Sequence, residues 1–296
     1  MRRMPRSVWR FAAGTIAVAA FAACTTSTSP NAVLTQAEAN SVAEVVTTDA
    51  AALPEGATFN SSTGTPFAAA PMSGAPVMPA ASASCTPTKS PASPTNSDGD
   101  PVPDSVRIDF TGCSFSNPPF TASLSGTIDF VDPTPTVTDM ALRTRYTDFT
   151  RSLTNTATNQ TRSAKENGTR TVVGSASALQ LADTMQTDYT FATGVTATHV
   201  RKWASSFTAD QAGSIQMGSP LPSGSWSISG SSTWTSGTNS YSLAVTTNPA
   251  LHFNASCTVE PRFDSGTLTA VVTKNGTTTN VMVQFTACGQ YTVTRS

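Results

Sequence analysis

Charge is scarce in this sequence. Asp, Glu, Lys and Arg make up 12% of its 296 residues, about half the ~25% of an ordinary soluble domain. There is no basic cluster that could track a phosphate backbone, which excludes nucleic acid as a partner. Histidine is scarcer still, with only His199 and His252. No serine stands in a Gly-x-Ser-x-Gly elbow, so a Ser-His-Asp hydrolase has no support. His199 shares strand parity with Val195, Ala197, Trp203 and Phe207, and His252 lies between Leu251 and Phe253. Both read as packing or rim residues. No Cys/His pair has zinc spacing, no glycine loop opens a helix as a phosphate cradle, and nothing singles out two acids as a glycosidase pair. Aromatic residues are only 7% of the chain. Trp226 and Trp234 share parity with Ile228, so the tryptophans, Trp203 included, read as core rather than as a sugar platform.

Hydroxyl groups are abundant instead. Ser and Thr exceed a quarter of the chain, so its surface is solvated by hydroxyls more than by charge, and Thr also suits strands. The hydrophobic fraction, 38%, is modest but patterned, and it suffices for a core.

The sequence begins with a basic front, Arg2, Arg3, Arg6 and Arg10, then runs apolar and small over residues 11–23 up to Cys24. This is the layout of an export signal. Thirteen helical residues rise about 20 Å, too little for a hydrocarbon core of ~30 Å. The ending Phe21-Ala22-Ala23-Cys24 resembles the lipobox of bacterial lipoproteins, with Phe21 where that family prefers Leu. The resemblance covers residues 1–24 alone. It implies removal of residues 1–23, acylation of Cys24, and a protein anchored by lipid in the cell envelope, at the outer membrane. Secretory cleavage after Ala22 is the alternative. Losing the four arginines and no acid leaves 13 basic against 18 acidic residues, a charge of −5.

Five cysteines occur, at positions 24, 85, 113, 257 and 288. Assigning Cys24 to lipid leaves four, enough for two disulfides in an oxidising compartment. Three connectivities are open; the neighbour pairing, Cys85–Cys113 and Cys257–Cys288, is the one expected.

Residues 24–34 read as a tether. Residues 35–53 read as an amphipathic helix: Thr35-Gln36-Ala37-Glu38 is a capping box, Val42, Val45, Val46, Ala50 and Leu53 form one stripe, and Pro54 should end it. Residues 54–103 are rich in Pro, Ala and Ser and read as largely irregular. Residues 104–296 alternate apolar and polar with period two, in about a dozen runs such as Val106-Ile108-Phe110 and Trp226-Ile228. Asn275-Gly276 marks a hairpin that pairs Leu268 with Val283, Ala270 with Val281 and Val272 with Thr279. The fold expected is all-β: a large, curved, antiparallel up-and-down sheet, open or nearly closed as a barrel, with one N-terminal helix. An outer-membrane pore is excluded by the lipid anchor and by the lack of a sustained apolar band with aromatic girdles. A faint echo relates Phe110, Cys113, Pro119, Phe120 and Ser125-Gly126-Thr127 to Phe253, Cys257, Pro261, Phe263 and Ser265-Gly266-Thr267. Two copies are too few for a solenoid, and convergent turn chemistry accounts for them.

One run has the look of a ligand loop. Asn96-Ser97-Asp98-Gly99-Asp100-Pro101-Val102-Pro103-Asp104 resembles the calcium loops of thrombospondin type 3 repeats and EF-hand-like proteins, in which alternate carboxylates surround a hard cation. It departs from them in its leading Asn96, in Pro101 at the turn glycine and in Arg107 at the last carboxylate. The resemblance implies a structural calcium ion on Asp98, Asp100 and Asp104; apart from it, no cofactor is expected. Three functions follow for the whole chain. The first is a non-enzymatic envelope protein that reaches the membrane through its lipid and holds an apolar or lipid-like small molecule inside the curved sheet. The second is a structural or adhesive surface lipoprotein. A hydrolase comes last, without a residue to carry it.

Overall fold

Alternating runs become strands because every second side chain can be buried on one face. The computed structural model describes residues 34–57, 87–100, 102–217, 219–237 and 239–296. It holds one helix, α1 (Gln36–Gly56), and fourteen strands. Three short ones come first: β1 (Thr88–Ser90), β2 (Ser105–Asp109) and β3 (Cys113–Asn117). Long strands follow: β4 (Phe120–Val131), β5 (Met140–Asn155), β6 (Gln160–Gly174), β7 (Ala178–Thr190), β8 (Thr196–Ala209) and β9 (Gly224–Ser236). The chain then forms β10 (Asn239–Thr247), β11 (Leu251–Phe253), β12 (Phe263–Lys274), β13 (Thr277–Ala287) and β14 (Gln290–Arg295). All pair antiparallel in one sheet, in the order β1-β2-β4-β5-β6-β7-β8-β9-β10-β12-β13-β14. β3 continues the line of β2 along β4, and β11 continues that of β10 between β9 and β12. Fourteen strands therefore fill twelve positions, and the all-β, one-helix expectation holds.

The hairpin at Asn275-Gly276 has the expected register, Leu268 opposite Val283, Ala270 opposite Val281 and Val272 opposite Thr279. The larger core lies under β6–β14. Its fully buried side chains include Trp226, Phe207, Phe253 and Phe263, and Trp203 and Trp234 are buried with them. A smaller core under β2–β5 contains Val106, Ile108, Phe110, Ile128 and Phe149.

Helix α1 is part of the larger core. Its capping box forms: Glu38 N–H donates to Thr35 Oγ1 (3.2 Å), and Thr35 N–H donates to Glu38 Oε2 (2.8 Å). Ala39, Val42, Ala43, Val46, Ala50 and Leu53 are all buried. Pro54 does not end the helix as expected; it sits in the last turn, which runs on to Gly56. There it removes only one backbone donor, and Ala57 N–H still reaches Leu53 O at 3.1 Å. The helix packs on β12–β14, and its far side meets Arg170 of β6 and Arg201 of β8. The sheet thus curls around it.

Cys257 and Cys288 are joined across 31 residues, as expected, a closure worth about 3–4 kcal/mol in the chain-entropy picture. Cys113 is also disulfide-bonded. Its expected partner, Cys85, lies outside the described residues, as do Cys24 and the export signal.

The two stretches of the sequence echo share some local features, but they differ in register and in the strand that Cys113 opens and Cys257 does not. In each copy a short strand, β2 or β11, pairs with the long strand that follows the cysteine, β4 or β12. Pro119 O accepts from Thr156 N–H (2.7 Å), and Pro261 O accepts from Gly289 N–H (3.0 Å), each donor lying just past the next long strand. Gly126 and Gly266 have φ of 88° and 104°. A Cβ at either would lie 2.3 Å from a neighbouring carbonyl oxygen, Asp148 O or Ala250 O. Only glycine fits a left-handed backbone under such a contact.

Candidate functional site

The Asp-rich loop between β1 and β2 is built from turns in which a carboxylate caps the backbone two residues on. Asp98 Oδ1 accepts from Asp100 N–H at 3.1 Å, and Asp100 Oδ1 accepts from Val102 N–H at 2.6 Å. Asp132, just after β4, does the same with Thr134 N–H at 2.8 Å. Asp132 N–H donates to Asp104 O at 3.2 Å, which sets the two loops side by side. One carboxylate oxygen each from Asp98, Asp100 and Asp132 lies within 4.8 Å of the other two. Asp100 is 6% exposed and Asp132 2%. The Oδ2 of all three is buried without a hydrogen-bond partner among the described residues. Burial pushes the Asp100 carboxyl above its ordinary value, against the Val102 hydrogen bond, and the charges of Asp98, Asp132 and Asp139 push it further.

Two of the three residues expected to bind calcium therefore meet. The third, Asp104, turns to Ser97, whose N–H and Oγ both donate to it at 2.7 Å. Those hydrogen bonds hold its carboxyl below the usual range. Asp132 stands in its place and escaped the sequence reading. A signal for it existed: Asp132-Pro133-Thr134-Pro135 repeats the Asp-Pro-x-Pro pattern of Asp100-Pro101-Val102-Pro103. Arg107 points elsewhere, to Asp129 (2.6 Å).

A second polar cluster lies inside the larger core. Asp183 Oδ2 accepts from Arg170 Nη2 (3.0 Å) and Arg201 Nε (2.9 Å), and Arg201 Nη1 reaches Asp49 Oδ1 of α1 (2.5 Å). Arg170 Nη1 also donates to Ala52 O in the last turns of α1 (3.3 Å). Burial opposes the Asp183 charge, but the two guanidiniums outweigh it and hold the carboxyl below its ordinary value. His199 Nε2 approaches Asp49 Oδ2 to 3.3 Å without forming a hydrogen bond. Burial pushes this imidazole below its ordinary value, against the pull of Asp49, so it is neutral near pH 7. Two arginines then balance two aspartates.

His252 is held differently. Its Nε2 meets Asp210 Oδ2 at 3.0 Å and its Nδ1 meets Asp264 Oδ1 at 2.7 Å. The Asp210 hydrogen bond, opposed by partial burial and joined by the bond to Asp264, raises its pKa. Both ring nitrogens face carboxylates, an arrangement that favours the protonated ring, and neither faces a serine. No protein-family model, no curated protein and no solved structure matches this chain.

Proposed function

We propose that the chain is a non-enzymatic, lipid-anchored structural protein of the cell envelope, held to the outer membrane through Cys24. The observation that carries this reading is α1. The helix that begins twelve residues after Cys24 is locked in the concave face of the sheet by Arg170, Arg201 and Asp49. An apolar-ligand carrier needs a hollow there. Instead, α1 and side chains such as Trp226, Phe207 and Phe253 occupy that face. The outward positions of β9 are Ser225, Ser227, Ser229, Ser231, Thr233 and Thr235, all exposed. They give β9 an uncharged, hydroxyl-lined outer face suited to contact with neighbouring envelope material. No helix among the described residues is long and apolar enough to cross a membrane, and the lipid on Cys24 supplies the attachment.

Native mass spectrometry of the protein purified from membranes, residues 24–296, with organic extraction, tests this choice. The expected mass is polypeptide plus covalent acyl groups. A stoichiometric extractable lipid, bound without a covalent link, would overturn the structural reading in favour of the carrier.

A further inference from the structure

We propose that Asp98, Asp100 and Asp132 bind one calcium ion, which ties the loop before β2 to the loop after β4. The spacing fits a single ion. Calcium lies 2.3–2.6 Å from its oxygen ligands, so two ligands on one ion are at most about 5 Å apart. The three carboxylate oxygens, all within 4.8 Å of one another, meet that limit.

Burial is the independent observation. An acidic cluster at a surface is solvated and asks for nothing. Here Asp100 and Asp132 are more than nine-tenths buried, and each has an Oδ2 with neither water access nor a donor. A buried anionic oxygen without a partner is among the costliest groups a fold can hold. No ion pair among the described residues brings Lys or Arg to Asp98, Asp100, Asp132 or Asp139. Each Oδ1 is fixed by a backbone N–H, so each Oδ2 is left as the remaining donor to a cation.

The donor set selects the metal. It is all oxygen, which disfavours zinc and copper, whose sites draw on His and Cys. Three protein carboxylates suit calcium better than magnesium, which keeps its waters and takes one or two. The ion would join two loops already linked by the Asp132 N–H to Asp104 O bond, closing the end of the sheet where β1 forms its edge.

Calorimetric titration of the EDTA-stripped full chain with calcium chloride, alongside thermal unfolding, is the test. One calcium per chain is expected, with a Tm that rises with calcium concentration. Asp132→Asn should weaken binding by at least about tenfold, and Asp104→Asn should leave it unchanged. The wild-type titration does not depend on either variant folding. A folded wild-type chain that takes up no calcium at roughly 1 mM, the range of weak extracellular sites, overturns the proposal. So does equal binding of magnesium, or unaltered affinity in folded Asp132→Asn.

Discussion

Asp183→Asn should destabilise the protein by about 3–5 kcal/mol, the usual cost of breaking a buried ion pair from one side. Asp183 is 1% exposed and is shared by two guanidiniums. The amide keeps its shape and one acceptor oxygen but removes a negative charge. Among the described residues, Asp49 would then be the one carboxylate left in an ion pair with either guanidinium, in a core where His199 is neutral. Against a total stability of about 5–15 kcal/mol, such a loss moves the urea midpoint by more than about 1 M for a slope of ~1–3 kcal/mol per M. Urea unfolding followed by tryptophan fluorescence measures it, since Trp203 and Trp226 lie in this core. A change under about 1 kcal/mol would mean that the cluster is not closed to water.

Cys24→Ala should have the largest effect on where the protein resides. A single acyl chain gives marginal membrane binding, and several on one residue give a stable anchor. Removing the acceptor thiol should release the protein into the soluble fraction or arrest it with residues 1–23 attached. Leu34 lies ten positions after Cys24, a reach of at most about 35 Å. An acyl group on Cys24, as proposed, would keep the start of α1 within that distance of the bilayer; no helix among the described residues is long and apolar enough to cross a membrane. Fractionation of cells that produce the variant, with its intact mass, decides the matter; unchanged partition into membranes of a variant that has lost residues 1–23 would refute the lipoprotein assignment.

Local chemistry was legible in the sequence, and long-range placement was not. The capping box at Thr35, the hairpin at Asn275-Gly276 and the alternation through Trp226 and Ile228 each depend on residues within a few positions or across one tight turn. The Cys257–Cys288 pairing also followed from neighbourhood. Asp183 stands at the inward parity of β7, between Leu181 and Met185, and Arg201 at that of β8, between His199 and Trp203. A charge at such a position looks like a break in the pattern until its partner is known. Asp49, the partner of Arg201, is 152 residues away. Pattern therefore showed a helix and a curved sheet but not that the sheet closes around the helix. Alternate carboxylates in one loop suggest a common ligand, which groups Asp104 with Asp98 and Asp100. Ser97 takes Asp104 instead, and Asp132 comes from the next loop. The two-copy echo is visible as residues, while the hydrogen bonds that the Pro119 and Pro261 carbonyls accept needed coordinates.

Hydrogen exchange at the amides of residues 36–53 tests most directly whether α1 belongs to the core. A helix locked by Asp49, Arg170 and Arg201 opens only when the sheet around it opens. The account predicts protection of the buried turn around Val46 and Ala50 equal to that of β9 and β13, with exchange at the free energy of global unfolding. Rapid exchange of the whole helix while β9 and β13 stay protected would contradict it: α1 would then be a detachable lid, and the concave face beneath it would be free for a ligand.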